Sequence, residues 1–437
     1  MTPLTRFITT AVLVAGSIAR AGAADQTVPG QGNANAAALA AQSPLVQSAM
    51  HYIVDQAQRI KDQQLHRETL DAVTNPQTCV QHRAGLTDTH KQQIVDALIA
   101  AGLVNPNDAA TTTGDVQAGV FPPVPQDGSA CPQLPQPFYA APGSAYIDGH
   151  HSYPGGLPVH EANNEVADVH LADEYRDVYG STSRWGFAIV APEADNARAE
   201  HERERSAVSI DQDIILAAPL WHDWAKSMVF QWNADGSEFT ELNFGGTGTN
   251  DAWGAPGDSR TGGHHIISVA EAMKRGLSPA FVITQACAHS APTSGNEYKV
   301  VNWLRAAAII AGIDPVQAGY LTPDSQGHLR LPALRALGAI DLNATNQTNL
   351  LAEYVLHNLS DADFTYSGPA VATMNVILRQ LAPQYGYDPT NTADYQNRFR
   401  NVVLSYLSGE RLLMIYSEQG LDGVKTELNH LKAAGVI

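Results

Sequence analysis

Apolar residues recur at intervals of three and four positions along much of this chain, and this spacing predicts amphipathic helices. Near the N-terminus the pattern includes Met50, Ile53, Val54 and Ala57, and it returns over residues 88–103. After Tyr320 the same spacing predicts four further helices, over residues 350–359, 370–381, 395–407 and 421–434. The expected fold class is therefore mainly α.

The charge balance limits what this chain can bind. Among 437 residues, 26 are lysine or arginine and 44 are aspartate or glutamate, which gives a formal net charge of −18. A surface this acidic repels a nucleic-acid backbone or an anionic bilayer. A phosphorylated substrate must therefore be bound locally, by a metal ion or by a few basic side chains.

The first 24 residues have the pattern of a signal peptide. Arg6 precedes a short apolar stretch over residues 7–18, and Ala21-Gly22-Ala23 is a small-x-small cleavage site. No later stretch approaches 18 continuous apolar residues, so we expect an exported protein, periplasmic or secreted, without a membrane span in its mature chain. In an oxidising compartment Cys79 and Cys131 are expected to form a disulfide, whereas Cys287 lies in an apolar run and is expected to be buried.

Changes in composition along the chain indicate the boundaries of its segments. An N-terminal helical segment over residues 25–120 is followed by a Pro-rich linker or extended wrap over residues 121–143, where seven prolines fall within residues 121–142. Residues 144–320 form the expected catalytic domain, and residues 321–437 form a C-terminal helical region. Inside the catalytic domain, Asn233-Ala234-Asp235-Gly236 between two β-prone stretches predicts a small β-hairpin insertion.

Histidines concentrate in the expected catalytic domain, where nine of sixteen fall between His150 and His289. His222 and Asp223 are adjacent after an apolar helical stretch, and Lys226 follows one turn later. His160 follows a Gly-Gly turn, and the remaining candidates also lie beside helix ends or apolar segments. Imidazoles in such positions can converge in a helical bundle, where facing helices share the ligands of a metal ion.

The order of these residues resembles the HD-domain superfamily of metal-dependent phosphohydrolases. Gly155-Gly156-Leu157-Pro158-Val159-His160 is similar to its Gly-Gly-Leu-x-x-His opening, and His222-Asp223-Trp224-Ala225-Lys226 to its His-Asp-x-x-Lys signature. Gly263-His264-His265-Ile266 is similar to a later Gly-His-Ile. The resemblance covers about residues 146–320 and implies an HD-domain-like helical bundle. It implies as metal ligands His160, His222, Asp223, His265, His289 and Asp314. His264 remains the alternative to His265, and Asn302 is a poorer competitor of Asp314.

A ligand set of this kind suits two divalent ions bridged by Asp223, with iron, manganese or another transition metal as candidates. Asp223 and Lys226 are then the expected catalytic residues, because Lys226 can neutralise a phosphate oxygen of a small phosphorylated substrate. The resemblance thus implies a phosphomonoesterase or phosphodiesterase that uses a metal-activated water. Two alternatives remain open, a di-iron oxygenase of the HD fold and an exported binding protein without catalytic activity.

Overall fold

The computed structural model describes residues 27–104, 106, 116–180, 209–238, 241–245, 249–250, 256–257, 259–293, 296–334 and 350–437. The predicted signal peptide lies outside these residues. The described chain is mainly α, as predicted, and none of its helices is long and apolar enough to cross a bilayer.

The helices, in chain order, are α1 (Asn33–Gln42), α2 (Pro44–Ala57), α3 (Gln63–Thr74), α4 (Asp88–Ala100), α5 (Val116–Val120), α6 (Gly156–Tyr179), α7 (Gln212–His222), α8 (Lys226–Val229), α9 (Gly263–Lys274), α10 (Pro279–Ala286), α11 (Glu297–Ala311), α12 (Ala352–Ser360), α13 (Phe364–Leu381), α14 (Thr392–Tyr395), α15 (Asn401–Leu407) and α16 (Gly409–Ala433), which is kinked at Gly420. The described strands form three antiparallel pairs of two residues each: β1 (Asn243–Phe244) with β4 (Thr261–Gly262), β2 (Thr249–Asn250) with β3 (Pro256–Gly257), and β5 (Thr322–Pro323) with β6 (Leu329–Arg330).

The main hydrophobic core lies between α6, α7, α9, α10 and α11, and the N-terminal helices pack onto it. The Pro-rich segment contributes to the same core, since Phe121, Leu134 and Phe138 are buried within it. The prolines disfavour α-helix and continuous strand but leave the side chains able to pack. This segment is therefore an extended wrap over the core rather than a free linker.

The tryptophans on either side of His222-Asp223 attach this turn to α3. Trp221 donates from Nε1 to Thr69 Oγ1 at 2.9 Å, and Trp224 donates to the carbonyl oxygen of Ala72 at 3.0 Å. Both side chains are fully buried, and the guanidinium of Arg275 lies over both rings. Such contacts fix the position of the turn and leave neither ring free to stack on a ligand.

The C-terminal helices form a second hydrophobic cluster that supports a loop at the site. The buried guanidinium of Arg400 donates to the carbonyl oxygens of Ile147 and Ser152 and, at 2.8 Å, to Asn375 Oδ1. Tyr153, at the end of that loop, is part of the same cluster. The C-terminal region therefore holds the segment that carries His150 and His151.

The predicted hairpin is present in reduced form. A tight turn forms at residues 233–236, but the only described pairing across it is a single antiparallel bridge between Trp232 and Glu238. Val229 belongs to α8 and Phe230 caps its end, so the first predicted strand is partly helical. The apolar run there packs into the core, which a short helix achieves as well as a strand does.

The predicted disulfide between Cys79 and Cys131 is present, with a Cα–Cα distance of 5.0 Å, and Cys287 is a buried free thiol. The bond joins the segment after α3 to the Pro-rich wrap across a sequence separation of 52 residues. A cross-link of this span restricts the unfolded chain more than the folded one.

We predict that Cys131→Ser lowers the free energy of unfolding by about 4 kcal/mol, the chain-entropy value for a loop of this length. Urea unfolding of oxidised protein measures the difference. The double variant Cys79→Ser/Cys131→Ser is the control and should lose no more than the single one, because both remove the same bond. Equal midpoints for wild type and Cys131→Ser would show that the bond does not stabilise the fold.

Candidate metal centre

The site is built where helices begin and end. His160 is the fifth residue of α6, His222 ends α7 and His264 lies in the first turn of α9. His289 and Asp361 follow the ends of α10 and α12. Because five different helices deliver these side chains to one place, their packing fixes the geometry of the site.

Asp223 is the centre of one half of the cluster. Its Oδ2 lies 3.2 Å from His160 Nε2 and 3.3 Å from His222 Nε2, and its Oδ1 lies 3.0 Å from His264 Nε2. Lys226 Nζ forms an ion pair with the same carboxylate. Asp223 is 1% exposed, so these neighbours replace water around its charge.

Asp361 is the centre of the other half. Its Oδ1 lies 3.2 Å from His160 Nε2 and 3.4 Å from His222 Nε2, and its Oδ2 lies 3.8 Å from His289 Nε2. Asn164, one turn after His160 on α6, donates to Asp361 Oδ1 at 3.2 Å. His160 and His222 therefore contact both aspartates, which makes the two halves one cluster.

The four histidines share one orientation, in which Nδ1 contacts an anchoring group and Nε2 points toward the aspartates. The Nδ1 contacts are His160 with Asp363 Oδ1 at 2.9 Å, His222 with the carbonyl oxygen of Pro219 at 2.9 Å, His264 with Glu241 Oε1 at 2.7 Å, and His289 with Thr261 Oγ1 at 2.8 Å. Metal-binding histidines are typically held in this way, with the second ring nitrogen on a carboxylate, a carbonyl or another polar group.

Three atoms that face the cluster lie within ion-pair distance of one another or of Asp361 but make no contact with hydrogen-bond geometry among the described residues. These are His222 Nε2, His264 Nε2 and Asp223 Oδ1, all buried. Buried polar atoms without a hydrogen-bond partner are costly, and a cation satisfies nitrogen and carboxylate donors together. The buried His and Asp groups here could thus hold a metal ion.

The electrostatics keep both aspartates ionised. Burial raises the pKa of Asp223, but Lys226, His222 and His264 outweigh it, so the pKa lies well below its usual range. The same holds for Asp361, where burial is outweighed by His222 and His160. The pKa values of His160, His222 and His264 are raised, whereas burial lowers the pKa of His289 to about 4. Burial lowers the pKa of His264, but Glu241 and Asp223 outweigh it and raise the pKa to about 9.

Three acidic residues on one face of α6 lie behind the cluster. Glu161, Glu165 and Asp168 are fully buried, and each has one described polar neighbour: His222 Nδ1 lies 3.3 Å from Glu161 Oε2, Tyr52 hydrogen-bonds to Glu165, and His357 Nδ1 lies 3.7 Å from Asp168 Oδ2. Burial raises the pKa of Glu161 to about 8 and that of Glu165 to about 7, and it raises the pKa of Asp168 well above its usual range. At neutral pH these groups therefore add less negative charge than their number suggests.

The structure does not bring Asp314 to the cluster. Asp314 is exposed in the turn after α11, where its Oδ1 accepts hydrogen bonds from the amides of Val316 and Gln317. The competitor Asn302 is also elsewhere, hydrogen-bonded to Ser259 and Arg305. A different carboxylate, that of Asp361 much later in the chain, lies in the cluster, because the end of α12 packs there.

The sequence resemblance favoured His265 over His264, but the structure places His264 against Asp223. His265 Nε2 lies 3.2 Å from the carbonyl oxygen of Ala286, and its ring stacks on His289 at 4.2 Å between centroids. His264, by contrast, contacts Asp223 and belongs to a possible metal-binding group with Asp223 and His289. Successive side chains on a helix point about 100° apart, and on α9 it is His264 whose ring lies against an aspartate of the cluster.

A cavity of about 600 Å³ opens onto the cluster. Lys226 lies in its wall, where Nζ donates to the carbonyl oxygen of Gly143 at 2.6 Å and lies 3.4 Å from His150 Nε2. Burial lowers the pKa of Lys226, but Asp223 outweighs it and raises the pKa, so the side chain is charged. The structure thus places both predicted catalytic residues, Asp223 and Lys226, at the cavity.

Sequence reasoning missed Asp361, Asp363, Asn164 and Glu241. Asp361 and Asp363 stand in the His357–Asp363 segment, whose density of His and Asp at a helix end was the available signal. Asn164 follows His160 at a spacing of four, which places both on one helix face. Glu241 has no comparable signal, because it reaches the site only through the chain reversal before α9.

No family model matches this chain, and no curated protein or solved structure matches it. The site is therefore interpreted from its own geometry.

Cation binding at this cluster should strengthen as the pH rises. Below about pH 9 His264 is protonated in the metal-free protein, and a cation at Nε2 must displace that proton. Between pH 6.5 and 8.5 we expect the affinity for Mn²⁺ to rise by up to about tenfold per pH unit for each proton displaced. Calorimetric titration in buffers of different ionisation enthalpy counts the protons, and His264→Gln should release about one fewer. An affinity independent of pH would contradict the assignment.

Proposed function

We propose that this protein is a metal-dependent phosphohydrolase. The observation that carries the proposal is the common orientation of His160, His222, His264 and His289, whose Nε2 atoms point toward two ionised aspartates beside a cavity with a charged lysine. Imidazole and carboxylate together suit divalent transition metals. A cavity beside such ligands suits hydrolysis of a bound ester.

The residues that would hold the ions are His160, His222, Asp223, His264, His289 and Asp361. Six ligands exceed what one tetrahedral ion needs, and Asp223 contacts histidines through both of its oxygens, as a bridging carboxylate would. We infer two ions, of iron, manganese or another transition metal. When bound, such ions act as Lewis acids and lower the pKa of a coordinated water toward neutrality.

Lys226 would bind a non-bridging phosphate oxygen. Its ammonium is held by Gly143 and Asp223 at the cavity wall, so little side-chain entropy is lost when substrate binds. A compact positive charge fixed in a buried wall stabilises negative charge that develops on a transferring phosphoryl group. It also supplies the local positive potential that the acidic surface lacks.

Asp363 is a positioning residue in this scheme. Its two oxygens contact His160 Nδ1 at 2.9 Å and His151 Nε2 at 2.8 Å, so it holds the His160 ring and fixes the tautomer that leaves Nε2 for a cation. His151 in turn lies 3.1 Å from the hydroxyl of Tyr153, in the loop held by Arg400.

The order of the site residues along the chain supports the proposal of an HD-domain-like site. Two of its residues differ from those that the sequence resemblance implied. His264 takes the place first assigned to His265, and Asp361 takes that of Asp314. The phosphohydrolase would act outside the cytoplasm, as the N-terminal pattern predicts.

Replacing Asp361 should remove metal, whereas replacing Asp314 should not. We predict that Asp361→Asn loses at least half of the bound metal, or weakens its affinity about 10–100-fold, because the carboxylate contacts three ligand histidines. Elemental analysis after dialysis against Mn²⁺ or Fe²⁺ measures this. Asp314→Asn is the matched control, since its carboxylate caps an exposed turn. Loss of metal in Asp314→Asn alone would restore the original assignment.

Lys226→Met should separate catalysis from metal binding. We predict nearly unchanged metal content and a decrease of roughly 10²–10³-fold in kcat/KM for phosphoester hydrolysis, typical when one electrostatic stabiliser is lost. Asp223→Ala should lose metal and activity together. Lys274→Met is the control. Lys274 lies at the end of α9, and its described hydrogen bond is to the carbonyl oxygen of Ala311. Unchanged turnover in Lys226→Met would overturn the role of this lysine, and oxygen consumption by iron-loaded protein without phosphate release would favour the oxygenase alternative.

A further inference from the structure

The mouth of the cavity is apolar, in contrast to its floor. Tyr146, Leu359 and Phe364 all line the cavity and are 61%, 47% and 49% exposed. Large apolar side chains that remain half exposed at the entrance of a polar site are available to cover an apolar ligand. Phe364 begins α13 and Leu359 lies in α12, so both flank the site residue Asp361.

The apolar mouth is continuous with the proposed phosphate position. Lys226 Nζ lies 3.4 Å from His150 Nε2, and the His150 ring lies 6.3 Å from the Phe364 ring, centroid to centroid. A phosphate bound at Lys226 would therefore direct its ester substituent along His150 toward Phe364.

The charged side chains of the described cavity wall favour a substrate with one phosphate. Of the described residues that line it, Lys226 is the sole lysine or arginine, and Glu241 adds a carboxylate to the wall. A diphosphate or triphosphate carries further negative charges that are usually met by additional cationic side chains. Glu241 instead repels a second anionic group.

We propose that the substrate is a phosphomonoester of an apolar alcohol, alkyl or aryl, whose organic group lies against Tyr146, Leu359 and Phe364. This inference rests on the proposed function and narrows it to one class of substrate. The phosphate is transferred to water, so the ester P–O bond breaks, a water oxygen bonds to phosphorus, and the alcohol leaves with a proton. The cavity volume of about 600 Å³ is sufficient for a ligand of drug size.

The test uses Mn²⁺-loaded protein and a series of alkyl phosphates, methyl, butyl and hexyl, whose leaving groups have similar acidity. We expect kcat/KM for phosphate release to rise roughly twofold per added methylene, about 30-fold from methyl to hexyl, because the contact is only partly buried. Phe364→Ala should lower the hexyl-to-methyl ratio at least about fivefold. Tyr366→Ala, an exposed aromatic two residues later that does not line the cavity, should leave the ratio unchanged.

A second arm, phosphatidate in phosphatidylcholine vesicles, distinguishes a membrane lipid from a soluble ester as the source of the apolar group. If the protein hydrolyses these esters but kcat/KM stays constant or falls from methyl to hexyl phosphate, the apolar-substrate inference is wrong. The phosphohydrolase proposal would then still stand. An equal change of the ratio in Phe364→Ala and Tyr366→Ala would also overturn it. No phosphate release from any ester by metal-loaded, folded protein would instead refute the proposed function itself.

Discussion

Two aspartates with almost no solvent exposure, Asp223 and Asp361, impose the main electrostatic constraint on this structure. A buried carboxylate is stable only when partners replace the water that it has lost. Here His160 and His222 contact both carboxylates, while Lys226 and His264 contact Asp223. Each helix that carries one of these residues must therefore have one of its two ends near the same place. The packing of these helices keeps the charged groups together in the interior.

The surrounding fold keeps that point fixed. On one side Trp221 and Trp224 tie the His222-Asp223 turn to α3, and on the other Arg400 holds the loop that leads to His150 and His151. The regions on either side of the expected catalytic domain thus support the site. The C-terminal region does more, since it supplies Asp361, Asp363 and two of the apolar side chains at the cavity mouth, Leu359 and Phe364. A few polar groups in fixed positions at the base of a cavity, with apolar side chains at its entrance, are typical of sites that bind small molecules.

The sequence predicted the fold class and the part of the site that lies on continuous motifs. Apolar spacing identified the helices, and the His-Asp-x-x-Lys order identified His222, Asp223 and Lys226, because residues this close in sequence remain near one another in the fold. The last carboxylate could not be found by spacing, since α11 and α12 are separated by a long connection and only packing brings α12 to the cluster. His264 and His265 were ambiguous for a related reason. Which of two adjacent residues faces the site depends on the rotation of α9 against its neighbours.

The central claim is that the four histidine Nε2 atoms and the two aspartates bind metal. Anomalous diffraction from crystals of protein purified with Mn²⁺ or Fe²⁺ tests it most directly. The account predicts strong peaks about 2.0–2.3 Å from Nε2 of these histidines and from oxygens of Asp223 and Asp361, with His265 and Asp314 uninvolved. Peaks elsewhere in a well-ordered chain, or fully loaded crystals in which this cluster contains only protons and water, would contradict it.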